Sequence, residues 1–103
     1  MGEIFTTGRW KPNEGKEAAF IDAWTGFAAW ASSRPGAGTL RLTRDAQLFP
    51  SFGAWESIEA VRAWKGAPKF RERLARVLQH VSEFVPSELA LVAMAEACAA
   101  SAA

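Results

Sequence analysis

The sequence predicts an α+β fold, a ferredoxin-like plait with a four-stranded antiparallel sheet, and three observations carry that prediction. Hydrophobic patterns follow one another along the 103 residues as strand, helix, strand, strand, helix, strand. Half of the residues are hydrophobic and 22% are charged, the balance of one compact domain. The interruptions fall at turn-forming clusters, Lys11-Pro12-Asn13, Arg34-Pro35-Gly36-Ala37-Gly38 and Gly66-Ala67-Pro68. The simplest closed arrangement of this order puts both helical regions on one face of the sheet. One domain over residues 1–94 is expected, followed by an alanine-rich tail, 95–103, expected to be frayed or disordered.

Glu3 to Trp10 reads as the first strand, with Ile4, Thr6, Gly8 and Trp10 on one face. Asn13 is placed to cap a helix over about residues 14–33, and Glu14 and Glu17 put negative charge near its positive end. At about 100° per residue, Phe20, Ala23, Trp24, Phe27, Ala28, Trp30 and Ala31 share a broad apolar arc of that helix. Thr39 to Arg44 alternates as a half-exposed strand, Asp45-Ala46-Gln47 suits a hairpin, and Leu48 to Trp55 returns with Pro50 near its start or at a bulge. Ile58, Val61 and Trp64 have helical spacing, and after the Gly66 to Pro68 break Phe70, Leu74, Val77, Leu78 and Val81 resume it, with Pro68 in the first turn. Glu83-Phe84-Val85-Pro86 is expected to end this helix and Ser87 to Ala93 to form the last strand. The uncovered sheet face, with Phe5, Leu40 or Leu42, and Phe52 as candidates, then needs a partner, and a homodimer packed sheet to sheet supplies it.

Twelve Lys and Arg against eleven Asp and Glu leave no overall field to gather phosphate backbones or an anionic membrane. Cys98 is the single cysteine, so no disulfide or thiolate cluster forms within one chain. With no apolar run of membrane-spanning length and no signal-peptide pattern at Met1, the reading is cytoplasmic, with no membrane partner. Nucleic acid is disfavoured as well: Ser51-Phe52-Gly53-Ala54-Trp55 keeps only a Phe-Gly pair of the base-stacking strand of RNA-recognition domains.

The run Ser51-Phe52-Gly53-Ala54-Trp55-Glu56-Ser57-Ile58-Glu59-Ala60-Val61-Arg62-Ala63-Trp64 with Pro68-Lys69-Phe70, and the opening Thr7-Gly8-Arg9-Trp10-Lys11-Pro12-Asn13-Glu14-Gly15-Lys16-Glu17, resemble the antibiotic biosynthesis monooxygenase family. The resemblance covers roughly residues 3–93. It implies a dimeric α+β barrel, two plaits paired through their sheets, with a pocket between sheet and helices in each protomer. It also implies oxygenation of an aromatic, quinol or polyketide-like small molecule by dioxygen, with no cofactor. There the substrate, once deprotonated, passes an electron to oxygen inside a dry, hydrogen-bonding cavity. A dimeric small-molecule-binding or stress-related domain without turnover is the alternative. Relatives that degrade haem use an Asn on the first strand with a Trp and a His on the second helical region. Trp64 matches the Trp, but Thr7 and Arg73 stand near the other two positions, which disfavours haem.

Within that reading Trp64 orients the substrate through its indole N–H, and Arg73 or Thr7 assists charge stabilisation. The bland alternative for Trp64 is core packing with Ile58 and Val61. Trp24 and Phe27 on the first helix, with Phe52, are candidates to hold a planar substrate, or else ordinary core. His80 is the only imidazole and therefore the base candidate, or else a surface side chain near a helix end. Arg73 sits in a basic helical run that also suits a solvated face. Thr6 and Thr7 alternate, so only one of them points into a given pocket.

Overall fold

The computed structural model describes residues 3–97 and contains β1 (Ile4–Pro12), α1 (Glu17–Ser32), β2 (Ala37–Leu42), β3 (Phe49–Trp55), α2 (Ile58–Lys65), α3 (Phe70–Leu78) and β4 (Val81–Ala90). The four strands form one antiparallel sheet in the order β2-β3-β1-β4, the plait expected from the element order. Cys98 and the end of the alanine-rich tail lie outside the described residues, and residues 91–97 have no regular secondary structure.

Strand alternation sorts the sheet into two faces. Thr6, Gly8 and Trp10 of β1 pair with Gly53, Ser51 and Phe49 of β3 on the helix-covered face. Phe5, Phe52, Val85 and Leu89 fall on the other, where Phe52, Val85 and Leu89 are exposed. The core lies between the inner face and the helices. Phe20, Trp24, Phe27, Ala28 and Ala31 of α1 are buried there, with Val61 and Trp64 of α2 and Val77 of α3. Trp10 anchors one end, stacked on Phe84 at 4.0 Å between ring centres and tilted against Phe20 at 5.6 Å.

Three local expectations are corrected. Asn13 does not cap α1 through its side chain: Lys16 occupies the cap position, and Asn13 instead donates its backbone N–H to the His80 carbonyl at 2.9 Å and accepts from Lys16. Gly15, at φ +78°, takes the left-handed turn that delays the helix to Glu17. Pro68 lies in the turn before α3, whose cap position is Lys69, and not within its first helical turn.

Glu83-Phe84-Val85-Pro86 does not end a helix either. The helix stops at Leu78, and these residues are the middle of β4, paired with Lys11, Trp10, Arg9 and Gly8. Pro86 is tolerated because β4 is an edge strand. Leu91 donates to the Glu3 carbonyl, so the hydrogen-bonded pairs with β1 fall at odd positions of β4, and the missing N–H of Pro86 faces outward. Pro50 is handled in a similar way. Its carbonyl accepts from Thr43 just past the end of β2, so its N-side faces the point where the neighbouring strand has stopped.

Candidate active site

A cavity of about 180 Å³ opens between the inner sheet face and the helices. Its sheet side carries Thr6, Gly8, Ser51 and Gly53. Trp24 and Phe27 of α1, Trp64 of α2, and Phe70 and Leu74 of α3 face it from the helical layer. Space at the sheet depends on the glycines: a Cβ at Gly8 would stand 2.9 Å from both the Phe84 ring and the Trp10 indole nitrogen. The lining is largely apolar, and an apolar cavity of roughly 150 Å³ takes a benzene ring. This one is therefore sized for one aromatic ring.

Trp64 reaches the cavity because α2 is short and precisely phased by its start. Ser57 accepts a hydrogen bond from the Ala60 N–H at 3.1 Å, which fixes the first turn. Val61 is then fully buried, and Trp64, one turn on, lies flat on Trp55 with ring centres 4.6 Å apart and Phe70 edge-on at 5.1 Å. The indole is 6% exposed, yet its Nε1–H has no acceptor among the described residues. The two sheet indoles differ: Trp55 Nε1 donates to Thr6 Oγ1 at 3.0 Å, and Trp10 Nε1 donates to Ser51 Oγ at 2.9 Å.

Thr6 contributes the second polar feature. Its oxygen accepts from Trp55, while its own proton goes to no protein acceptor among the described residues. Ser51 spends its proton on the Gly8 carbonyl through a long contact of 3.4 Å. The Thr6 O–H is thus a donor beside an apolar enclosure, and the unpaired Trp64 N–H lies buried in its helical wall. Among the described residues Lys65 is the only ionisable one in the lining; it is one-third exposed and bound to Glu88 at 2.6 Å.

The structure divides the residues singled out in the sequence into two groups. Trp64, Trp24 and Phe27 meet at the cavity. Thr7 and Phe52 border it at the sheet, but alternation assigns their side chains to the open face, so Thr6 takes the inward position expected of Thr7. Arg73 and His80 are not cavity residues. They line a separate groove between α1 and α3, and Arg73 lies over the Trp30 ring at 5.0 Å. The helical period of α3 turns Leu74 inward and carries its neighbour Arg73 away. Thr6 and Ser51 were missed, although Thr6 shares its strand face with Trp10, which was a usable signal.

The family model described as antibiotic biosynthesis monooxygenase matches residues 4–86. The chain belongs to that family. Solved structures agree in fold. The Mycobacterium tuberculosis protein Rv0793 is 16% identical, superposes with a TM-score of 0.80, and the match covers 92% of this chain and 100% of that one. SnoaB of Streptomyces nogalater, a cofactor-independent oxygenase, is 17% identical with a TM-score of 0.77, over 93% and 97% of the two chains. A Caulobacter crescentus protein is 22% identical with a TM-score of 0.78, over 89% and 92%. No curated protein matches the chain.

Haem does not fit the residues described at this cavity. None of the cavity residues is a His, Cys, Met or Tyr, the usual axial donors, and His80 lies in the other groove. No three metal-ligating side chains converge among the described residues, and none of their helices is long and apolar enough to cross a membrane.

Proposed function

We propose that this family member is a cofactor-independent monooxygenase that oxidises a one-ring aromatic or quinol-type substrate with dioxygen. The observation that carries the reading is a ring-sized apolar cavity walled by Trp64, whose buried Nε1–H is orphaned among the described residues. A buried donor without an acceptor costs about 1–3 kcal/mol, and a substrate oxygen removes that cost on binding. The Thr6 hydroxyl supplies a second donor to an oxygen that carries developing negative charge. Trp24, Phe27 and Phe70 exclude water around the ring. The substrate supplies the electrons: one oxygen atom of O2 enters a ring C–H of the quinol as the ring is oxidised to a hydroxyquinone, and the other leaves as water with the two hydroxyl hydrogens.

One observation favours a binding protein without turnover. No carboxylate or imidazole lines the cavity, so no side chain there is suited to remove the first proton. Oxygen uptake by the purified protein with quinols and anthrones decides between the readings. Saturable uptake that falls in Trp64→Phe supports the monooxygenase. Tight binding of the same compounds with no uptake above the buffer rate supports the binding protein. Trp64→Phe is expected to lower turnover or affinity by one hydrogen bond, about 0.5–1.5 kcal/mol.

The open sheet face, with Phe52 40% and Leu89 52% exposed, supports a homodimer that closes two sheets into an α+β barrel. Sedimentation at micromolar concentration is expected to show a dimer, and Phe52→Lys with Leu89→Lys a monomer. A parent chain that sediments as a monomer overturns the assembly.

A further inference from the structure

The seam between α1 and α3 contains a groove of about 280 Å³, floored by Ala23, Gly26 and Phe27 of α1. Arg73 and Arg76 of α3 stand opposite, followed by Gln79 and His80. Phe27 is the one residue common to this groove and the cavity. We propose that this groove binds a small oxyanion, a carboxylate or phosphate carried on a compact apolar body.

Arg73 carries the argument. Its guanidinium lies 5.0 Å over the Trp30 ring, and Arg34 approaches the same ring at 5.7 Å. A guanidinium held over an aromatic ring on its Nε side keeps its two terminal NH2 groups for an oxyanion, which they grip through charge-assisted hydrogen bonds. The Nε–H of each arginine is buried without an acceptor. Neither arginine takes part in an ion pair among the described residues, where Arg76 pairs with Glu72, Arg44 with Glu17 and Lys65 with Glu88. Two unneutralised guanidinium groups at one indole hold a local positive potential in a chain whose net charge is only +1. Anions are drawn to that place and not to the molecule as a whole.

The floor explains the size of the ligand. Gly26 sits in the middle of α1, where glycine is a poor helix former, and a Cβ built on it meets nothing within 4 Å. The groove is therefore open down to the backbone of α1 between Ala23 and Gly26, a small-residue floor with little polar surface. Gln79 and His80 make no side-chain hydrogen bond among the described residues and are further donors at the same end. Asp22 is the one carboxylate in the lining and opposes the anion.

The test is a titration of the whole chain with sodium benzoate, inorganic phosphate and neutral benzamide, followed by NMR of the Arg73 Nε–H and the Trp30 indole N–H. A saturable shift of the Arg73 signal with benzoate or phosphate, and none with benzamide, is expected. The tighter of the two anions assigns carboxylate or phosphate. Arg73→Gln is expected to weaken binding about tenfold, the loss of one charge-assisted hydrogen bond pair. Gly26→Leu, which projects into open space and favours the helix, is expected to abolish binding with the helical circular dichroism unchanged. Asp22→Asn is expected to tighten it severalfold. The proposal is overturned by shifts that grow linearly without saturation for both anions, or by saturable binding that survives both Arg73→Gln and Gly26→Leu.

Discussion

The inner face of the sheet and the helical layer above it treat buried polar groups in opposite ways. On the sheet, the indoles of Trp10 and Trp55 each find a hydroxyl, Ser51 and Thr6, on the neighbouring strand. Above it, the buried side-chain nitrogens without partners among the described residues are those of Trp64 on α2, Arg73 on α3 and Arg34 in the turn after α1. Trp55 and Trp64 stack face to face, so composition and burial do not separate them. Hydrogen bonding does. The sheet is a finished scaffold, and the helical layer carries the unpaired donors.

That contrast is open to direct attack. Trp55→Ala removes a 1% exposed ring and its bond to Thr6, and is expected to destabilise by about 3–5 kcal/mol in chemical denaturation. A loss below about 1 kcal/mol would place Trp55 in the same category as Trp64. Thr6→Val keeps the shape and leaves the Trp55 N–H without an acceptor, for an expected loss of about 1–3 kcal/mol in the same assay. It also deletes a cavity donor, so ligand affinity should fall with stability. Ser57→Ala removes the cap that phases α2 and is expected to cost about 1 kcal/mol. Hydrogen exchange should then speed up in α2 and α3 while β1 and β3 keep their protection. The smallest effect is expected from Trp64→Phe on stability: it loses some packing against Trp55 and also removes an orphaned donor, so the net change should stay under about 1 kcal/mol.

The fold was largely legible because its periodicities are local. Thr6, Gly8 and Trp10 alternate with Thr7 and Arg9, and Ile58, Val61 and Trp64 recur at helical spacing, so each element announces its own inner face. The beginning of β4 was not legible. Pro86 reads as a terminator in isolation, and only its place on an edge strand, with the missing N–H turned outward, makes it compatible with pairing. The cavity was half legible for a related reason. Trp64, Trp24 and Phe27 are inward on any packing of their helices, whereas assigning Arg73 required the rotation of α3 about its axis, which Leu74 and Val77 set through contacts with distant residues. The alternation of Thr6 and Thr7 was legible, but which of them faces the helices depends on the register of β1 against β3, and a one-residue change in a period-two pattern moves a side chain to the other face of the sheet.

Pro86 also bears on how copies of the molecule meet. Exposed strand edges are templates on which further strands assemble, the first step toward fibrous aggregates. Here both edges are poor templates. Pro86 removes an outward donor from the centre of β4, and on the opposite edge the pairing of β2 slips between Ala37 and Leu40. A neighbouring chain cannot extend the ladder along either side without meeting a gap, so sheet growth by strand addition is blocked while the broad apolar face stays available for a closed, finite contact.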